Sequence, residues 1–183
     1  THSPSLKRII HETNHESNNL YAETLAKTLS KTITGSACYD STYVAMEAVL
    51  KELGVDISYG IKMADGSGLS RKNYVSPDFL CRFLTAMMSS PHFEDYIYSL
   101  PSPGSNGTLS SNMAKSPAEM KARIKVKSGS MEGVRCYSGY IIPREGGKDE
   151  TIVFSLMVNN CTAPTWKLRQ LLDKIMAVLA AAN

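Results

Sequence analysis

The sequence predicts an α/β protein in which an antiparallel sheet of three strands is covered by helices on both faces, within a single domain over residues 1–183. Three observations predict this. Helical periodicity dominates the first half of the chain, three strand-like runs follow between Arg123 and Val158, and an amphipathic helix closes it. The last strand-like run places Ile152, Phe154, Leu156 and Val158 on one face, with Val153 and Met157 on the other. Apolar residues on both faces call for cover on both.

The elements follow in order. Ile9 to Leu29 reads as helical on either side of Ser17, with Leu25 and Leu29 spaced by four beside Ala22 and Ala26. Asp40 and Ser41 are cap candidates for a helix through Leu53, with the stripe Ala45, Ala48, Val49 and Leu53 and a stop at Gly54. Ile61 to Tyr74 has no clean period and reads as a structured loop. Ser76-Pro77 is a cap followed by proline at the first helical position, opening a helix with Phe79, Leu80, Phe83, Leu84 and Met87. Pro101 to Ser116 is a Ser/Pro/Gly/Asn-rich loop. The strands are expected at Arg123–Ser128, Val134–Ile142 and Thr151–Val158, the last two joined as a hairpin by a polar turn at Arg144–Glu150. After Pro164-Thr165, residues Leu168, Leu171, Leu172, Ile175, Met176 and Leu179 form a helical stripe.

Bulk properties exclude several classes. A net charge of +3 with scattered basic residues does not support nucleic-acid binding. No apolar run approaches a membrane span. The start Thr1-His2-Ser3-Pro4 shows no signal peptide and no initiating Met, so an excised piece of a longer protein is expected. Cys38, Cys81, Cys136 and Cys161 lack C-x-x-C spacing and are expected as small buried side chains, with a disulfide left open.

Three short motifs carry chemistry. Lys127-Ser128-Gly129-Ser130 lies on a strand, where a lysine and a hydroxyl can hold a carboxylate by charge-assisted hydrogen bonds. Gly129 would let a ligand approach the backbone, and the next N–H could serve an oxyanion. Ser17-Asn18-Asn19 and Asp65-Gly66-Ser67-Gly68-Leu69-Ser70, taken singly, fit a cap and a tight turn equally well. A fourth pattern, His11-Glu12-Thr13-Asn14-His15, matches the H-E-x-x-H spacing of zinc proteases. Only ten residues precede it, so coincidence is the favoured reading.

Taken together and in order, the first three motifs resemble those of class C penicillin-binding proteins, the D-alanyl-D-alanine carboxypeptidases/endopeptidases of bacterial cell walls. The resemblance rests on Ser-Asn-Asn-Leu-Tyr-Ala-Glu and on Asp-Gly-Ser-Gly-Leu-Ser-Arg-Lys-Asn with Val75-Ser76-Pro77. It rests equally on Lys-Ser-Gly-Ser-Met-Glu-Gly-Val with Ser138-Gly139-Tyr140. It covers the chain from about Ile9 to the final helix, and corresponds to the C-terminal part of the transpeptidase domain of the penicillin-binding/serine β-lactamase-like fold. Ser128 stands where threonine is usual.

The resemblance implies a serine acyl-enzyme that cleaves D-alanyl peptides of peptidoglycan and is trapped by β-lactams. It casts Ser17 as proton relay and Asn19 as a hydrogen-bonding partner of the substrate backbone. Lys127 and Ser128 would be carboxylate anchors, with Gly129 beside them and the Ser130 N–H as half of an oxyanion hole. Asp65 would be part of a site wall. No metal or organic cofactor is implied, and the location implied is the periplasm or cell envelope. The nucleophile motif S-x-x-K is absent: Ser5 is followed at the fourth position by Arg8, and Thr24-Leu25-Ala26-Lys27 has a threonine. The chain alone is therefore expected to be inactive. The alternative is a non-catalytic peptidoglycan-binding or scaffolding module. The family's sheet has five strands, so self-association or pairing with a missing N-terminal part is also expected.

Overall fold

The structure is a computed structural model that describes residues 2–182. The chain divides into two units, Thr1–Thr13 with Asn18–Phe93, and Asn14–Ser17 with Glu94–Asn183.

Helix α1 (Leu6–Glu16), whose last three residues fall in the second unit, is followed in the first by α2 (Asn19–Thr34), whose cap is Asn18, with Oδ1 accepting from Tyr21 N at 3.1 Å. Helix α3 (Tyr39–Glu52) packs antiparallel to it through Ala26, Ser30, Thr42 and Ala45. The expected cap at Asp40 or Ser41 is corrected. Cys38 holds the cap position, and the Ser41 hydroxyl instead donates back to the Cys38 carbonyl. Ala45 is buried from the expected stripe, whereas Val49 and Ala48 are exposed. The loop expected at Ile61–Tyr74 is closed at its base by two short antiparallel strands, β1 (Ile61–Lys62) and β2 (Tyr74–Val75). Helix α4 (Pro77–Met88) starts as read, with Ser76 Oγ accepting from Phe79 N at 3.0 Å.

The second unit is built on the expected meander. Strands β3 (Ile124–Met131), β4 (Val134–Ile141) and β5 (Ile152–Val158) pair antiparallel in that order. Helices α5 (Phe93–Ser99) and α6 (Ala118–Arg123) were not expected from the sequence. Both are too short to show a helical period. The closing helix α7 (Thr165–Ala181) covers one sheet face, where Leu172, Met176 and Ala180 meet Ile124, Val126, Tyr137, Ile141 and Phe154. The expected stripe on α7 is partly corrected. Leu168, Leu172 and Met176 are buried, but Leu171 and Ile175 are exposed, because the sheet takes the i, i+4, i+8 row alone. The cysteine expectation is likewise corrected: Cys38 is exposed and the other three are half-buried thiols.

Two devices hold this unit. Gly139 faces Val126 across the β3–β4 ladder. A Cβ there would lie 2.8 Å from Val126 Cα and closer still to the Lys125 carbonyl. The two backbones can meet only over a glycine. The second device is a buried polar network. Asn112 donates to the Tyr137 hydroxyl (2.7 Å) and to Asp173 Oδ1 (2.8 Å), and Met113 N donates to Asp173 Oδ2 (2.9 Å). It ties the 101–116 loop to β4 and α7. Replacing Asp173 by Ala strands two donors, both on buried residues, and is expected to lower unfolding stability by about 2–3 kcal/mol. Urea unfolding measures it, and an unchanged midpoint would refute this account of the network.

Candidate functional site

The site is built from chain segments far apart in sequence. Strand β3 alternates, so Ile124 and Val126 face α7 while Lys125 and Lys127 face the other way. The backbone alternates as well. Ile142 N donates to Arg123 O, whereas Val126 N turns outward to Pro101 O. With an unbroken one-to-one register, the N–H groups of Ser128 and Ser130 must also point away from β4, toward the strand's outer edge. That is the direction an incoming oxyanion or carboxylate would use.

Lys127 is the electrostatic centre. Its Nζ donates to Ser17 Oγ at 2.8 Å and to the Ser128 carbonyl at 3.0 Å. Both acceptors are neutral, so neither compensates the ammonium as a carboxylate would. Burial pulls the Lys127 pKa down from 10.5 to about 8. Lys125, whose Nζ meets Ser102 Oγ at 3.1 Å, is also lowered by burial.

Ser17 follows the last turn of α1 with φ 55°. Asn18 N reaches back to Thr13 O at 3.1 Å, a six-to-one bond that closes the helix in a Schellman turn. Glycine normally fills the left-handed position, and a serine there costs roughly 1–2 kcal/mol. The turn thus carries local strain at the residue whose hydroxyl meets Lys127, a pattern frequent at functional sites.

The other residues singled out from the sequence divide clearly. Ser128 Oγ meets Thr108 Oγ1 at 3.4 Å. Gly129 is exposed, and a Cβ there would find only an ordinary contact, Cys136 Cβ at 3.7 Å. Packing does not require glycine at this position, but the missing side chain leaves the strand edge open. In the first unit, Asn19 is exposed in the first turn of α2. Asp65 offers no free carboxylate: Oδ1 accepts from Gly68 N (2.7 Å) and Asn73 Nδ2 (2.9 Å), and Oδ2 from Ser70 N (2.8 Å). It staples its own loop, and these hydrogen bonds lower its pKa against the opposing effect of burial, which is the largest single influence.

Sequence reading quoted Glu23 as the end of the Ser-Asn-Asn-Leu-Tyr-Ala-Glu stretch but gave it no role; the structure uses it to link two of the motifs. Its Oε2 accepts from Gly66 N (2.7 Å) and Ser67 N (3.2 Å), anchoring the Asp65 loop on α2. A Cβ on Gly66 would press to 3.2 Å from Ala22 O, so the loop lies flat on the helix only as glycine. A carboxylate in the second turn of α2, inside the quoted motif stretch, was the available signal. Thr108 was overlooked, because a threonine in a polar loop has no pattern of its own. For the H-E-x-x-H spacing, no group of three candidate metal ligands occurs among the described residues.

The comparisons agree with this architecture. Residues 1–181 match the family described as D-Ala-D-Ala carboxypeptidase 3 (S13). The chain is 35% identical to a D-alanyl-D-alanine carboxypeptidase of Actinomadura sp. (strain R39) over 135 residues, 71% of this chain and 24% of that protein. It is 33% identical to penicillin-sensitive carboxypeptidase A of Dictyostelium discoideum over 144 residues, 75% of this chain and 27% of the relative. The chain therefore spans about a quarter of the length of these relatives. Among solved structures, penicillin binding protein 4 of Haemophilus influenzae, complexed with a β-lactam, superposes with a TM-score of 0.78 at 22% identity. That match covers 96% of this chain and 40% of the other. A penicillin G-acylated predatory endopeptidase of Bdellovibrio bacteriovorus, in complex with an immunity protein, gives 0.74 at 20%, covering 99% and 46%. The fold expected from the motifs is thus the fold observed, and the chain belongs to the D-Ala-D-Ala carboxypeptidase 3 (S13) family.

Proposed function

We propose that this chain contributes the carboxylate-anchoring and proton-relaying part of a serine-type D-alanyl-D-alanine carboxypeptidase/endopeptidase site that acts on peptidoglycan stem peptides and binds β-lactams. One observation carries the reading. A half-buried ammonium, Lys127, is held by neutral acceptors against the Ser17 hydroxyl, beside a strand edge whose N–H groups turn outward. The uncompensated charge there suits an anion, and the C-terminal carboxylate of a D-alanyl peptide supplies one. The Ser128 hydroxyl would share that carboxylate, and the Ser130 N–H would face the acyl oxygen. Ser17 would pass a proton to the leaving amine, its oxygen already within reach of Lys127. Asn19 would bind the substrate backbone and the Asp65 loop would shape a wall, as the resemblance implies. Peptidoglycan substrates place the work in the periplasm or elsewhere in the cell envelope. Among the described residues no helix is long and apolar enough to cross a membrane.

Acyl transfer also needs an activated serine, and nowhere in the 183 residues does a serine stand three positions before a lysine. Incubation with a reporter penicillin followed by intact-mass measurement should therefore give no covalent adduct. A single penicilloyl adduct would overturn that part of the proposal. Non-covalent binding is expected to persist. Lys127→Gln should weaken binding of an N-acylated D-alanyl-D-alanine peptide about tenfold or more, the scale of a lost charge-assisted hydrogen bond. Equal affinity in calorimetry would sink the anchoring role.

The pH dependence has a defined sign. Lys127 is charged below its pKa of about 8, so peptide affinity should hold near neutrality and fall as pH rises through 8. An affinity flat from pH 7 to 10 would contradict the assignment.

Association with other protein is expected too. Strand β5 is an edge of its sheet, and α7 leaves Leu171 (53%) and Val178 (68%) exposed. A sheet edge and exposed apolar side chains each favour self-association. Sedimentation should show mass rising with concentration; a monomer at every concentration would refute it.

A further inference from the structure

We propose that Gly107-Thr108 is a positioning clamp that sets the separation of Ser17 and Lys127. The inference rests on the site reading above and adds to it the element that holds the pair together.

The His15 carbonyl, in the last turn of α1, belongs to the set that a helix leaves without an internal partner. Thr108 takes it twice, with its N–H at 3.2 Å and its hydroxyl at 3.4 Å. The approach is possible only because residue 107 is glycine. Gly107 has φ 86°, and a Cβ there would stand 2.5 Å from the His15 oxygen and 3.1 Å from Glu16 Oε1. The same Thr108 hydroxyl accepts from Ser128 Oγ at 3.4 Å. A closed circuit results. Thr108 holds His15, two residues before Ser17, and touches Ser128, one residue after Lys127. Lys127 in turn bonds Ser17. Both hydroxyl contacts are long, so the hydroxyl contributes mainly geometry. A second brace stands apart from the clamp: Asn14 Nδ2 donates to Ser99 Oγ at 2.7 Å, and that hydroxyl donates to Tyr96 O at 2.6 Å. A left-handed serine persists only where its surroundings over-determine it, and the clamp and brace do so here.

Thr108 is exposed, so its hydroxyl can be removed without opening the core. The test compares the full chain with Thr108→Val, which keeps shape and N–H, and Thr108→Ser, which restores the hydroxyl. Three readouts are taken: urea unfolding, the NMR titration of the Lys127 13Cε resonance, and affinity for an N-acylated D-alanyl-D-alanine peptide. Thr108→Val should unfold at the wild-type midpoint, shift the Lys127 titration and weaken the peptide about fivefold, close to one neutral hydrogen bond. Thr108→Ser should restore both. An unshifted titration with Thr108→Val, or no rescue by Thr108→Ser, would overturn the clamp. Loss of folding in Thr108→Val would overturn it as well, since Thr108 would then be structural. If wild type fails to bind the peptide while Thr108→Val still shifts the titration, the clamp stands and the substrate reading falls.

Discussion

The hydrogen bond from Lys127 to Ser17 is the contact on which the site depends. It joins residues 110 positions apart and sets a desolvated ammonium against a neutral oxygen. Burial without a counter-charge is unfavourable for a cation, and the lowered pKa of Lys127 records that. A carboxylate partner would have removed that cost, and with it the capacity for an anion that is proposed for Lys127. Many features around it serve this one arrangement. The turn holds Ser17 in a left-handed conformation, α1 ends where the turn needs it, and β3 presents lysine on one face while its other face packs on α7.

Glycines do much of the positioning, and each does it by allowing two backbones to come close. Gly139 lets β4 approach β3 directly behind the lysines, Gly107 lets a loop reach a helix-end carbonyl, and Gly66 lets the Asp65 loop lie on α2. Gly129 differs, since a Cβ there would meet only an ordinary contact; with no side chain, it leaves the strand edge uncovered. Around these approaches the polar groups are closed locally. Asp65 binds its own loop, Glu23 binds that loop to the helix, and Asp173 binds loop 101–116 to α7. These three carboxylates are committed to structure, while the lysines of β3 find neutral acceptors.

Much of this was legible in the chain. The three strands, their hairpin turn, the Ser76-Pro77 helix start and the closing helix all carry period or cap signals strong enough to read directly. The misreadings have physical causes. Cys38 rather than Asp40 caps α3, because the loop before it sets where the first carbonyl turns inward. Helices α5 and α6 span less than two turns and so show no period. Leu171 and Ile175 belong to an apolar face wider than the sheet that receives it. The motifs singled out Ser17, Lys127, Ser128, Gly129 and Ser130, and the structure sets Ser17 against Lys127; they gave no role to Glu23, although it closes the first motif stretch, nor to Thr108, a threonine in a polar loop with no pattern of its own.

Sequence alone determined the family resemblance, the strand carrying Lys127, and the alternation that separates its lysines from the core. These are local properties, governed by a two-residue period and by residue types. Tertiary structure decided that Ser17 adopts a left-handed turn, that its hydroxyl meets Lys127, and that Thr108 spans the segments bearing them. Those outcomes depend on close approaches between segments roughly a hundred residues apart, where a single Cβ decides whether the backbones can meet. No local pattern encodes such distances, since they are set only when the loop, the helix end and the strand edge are packed together.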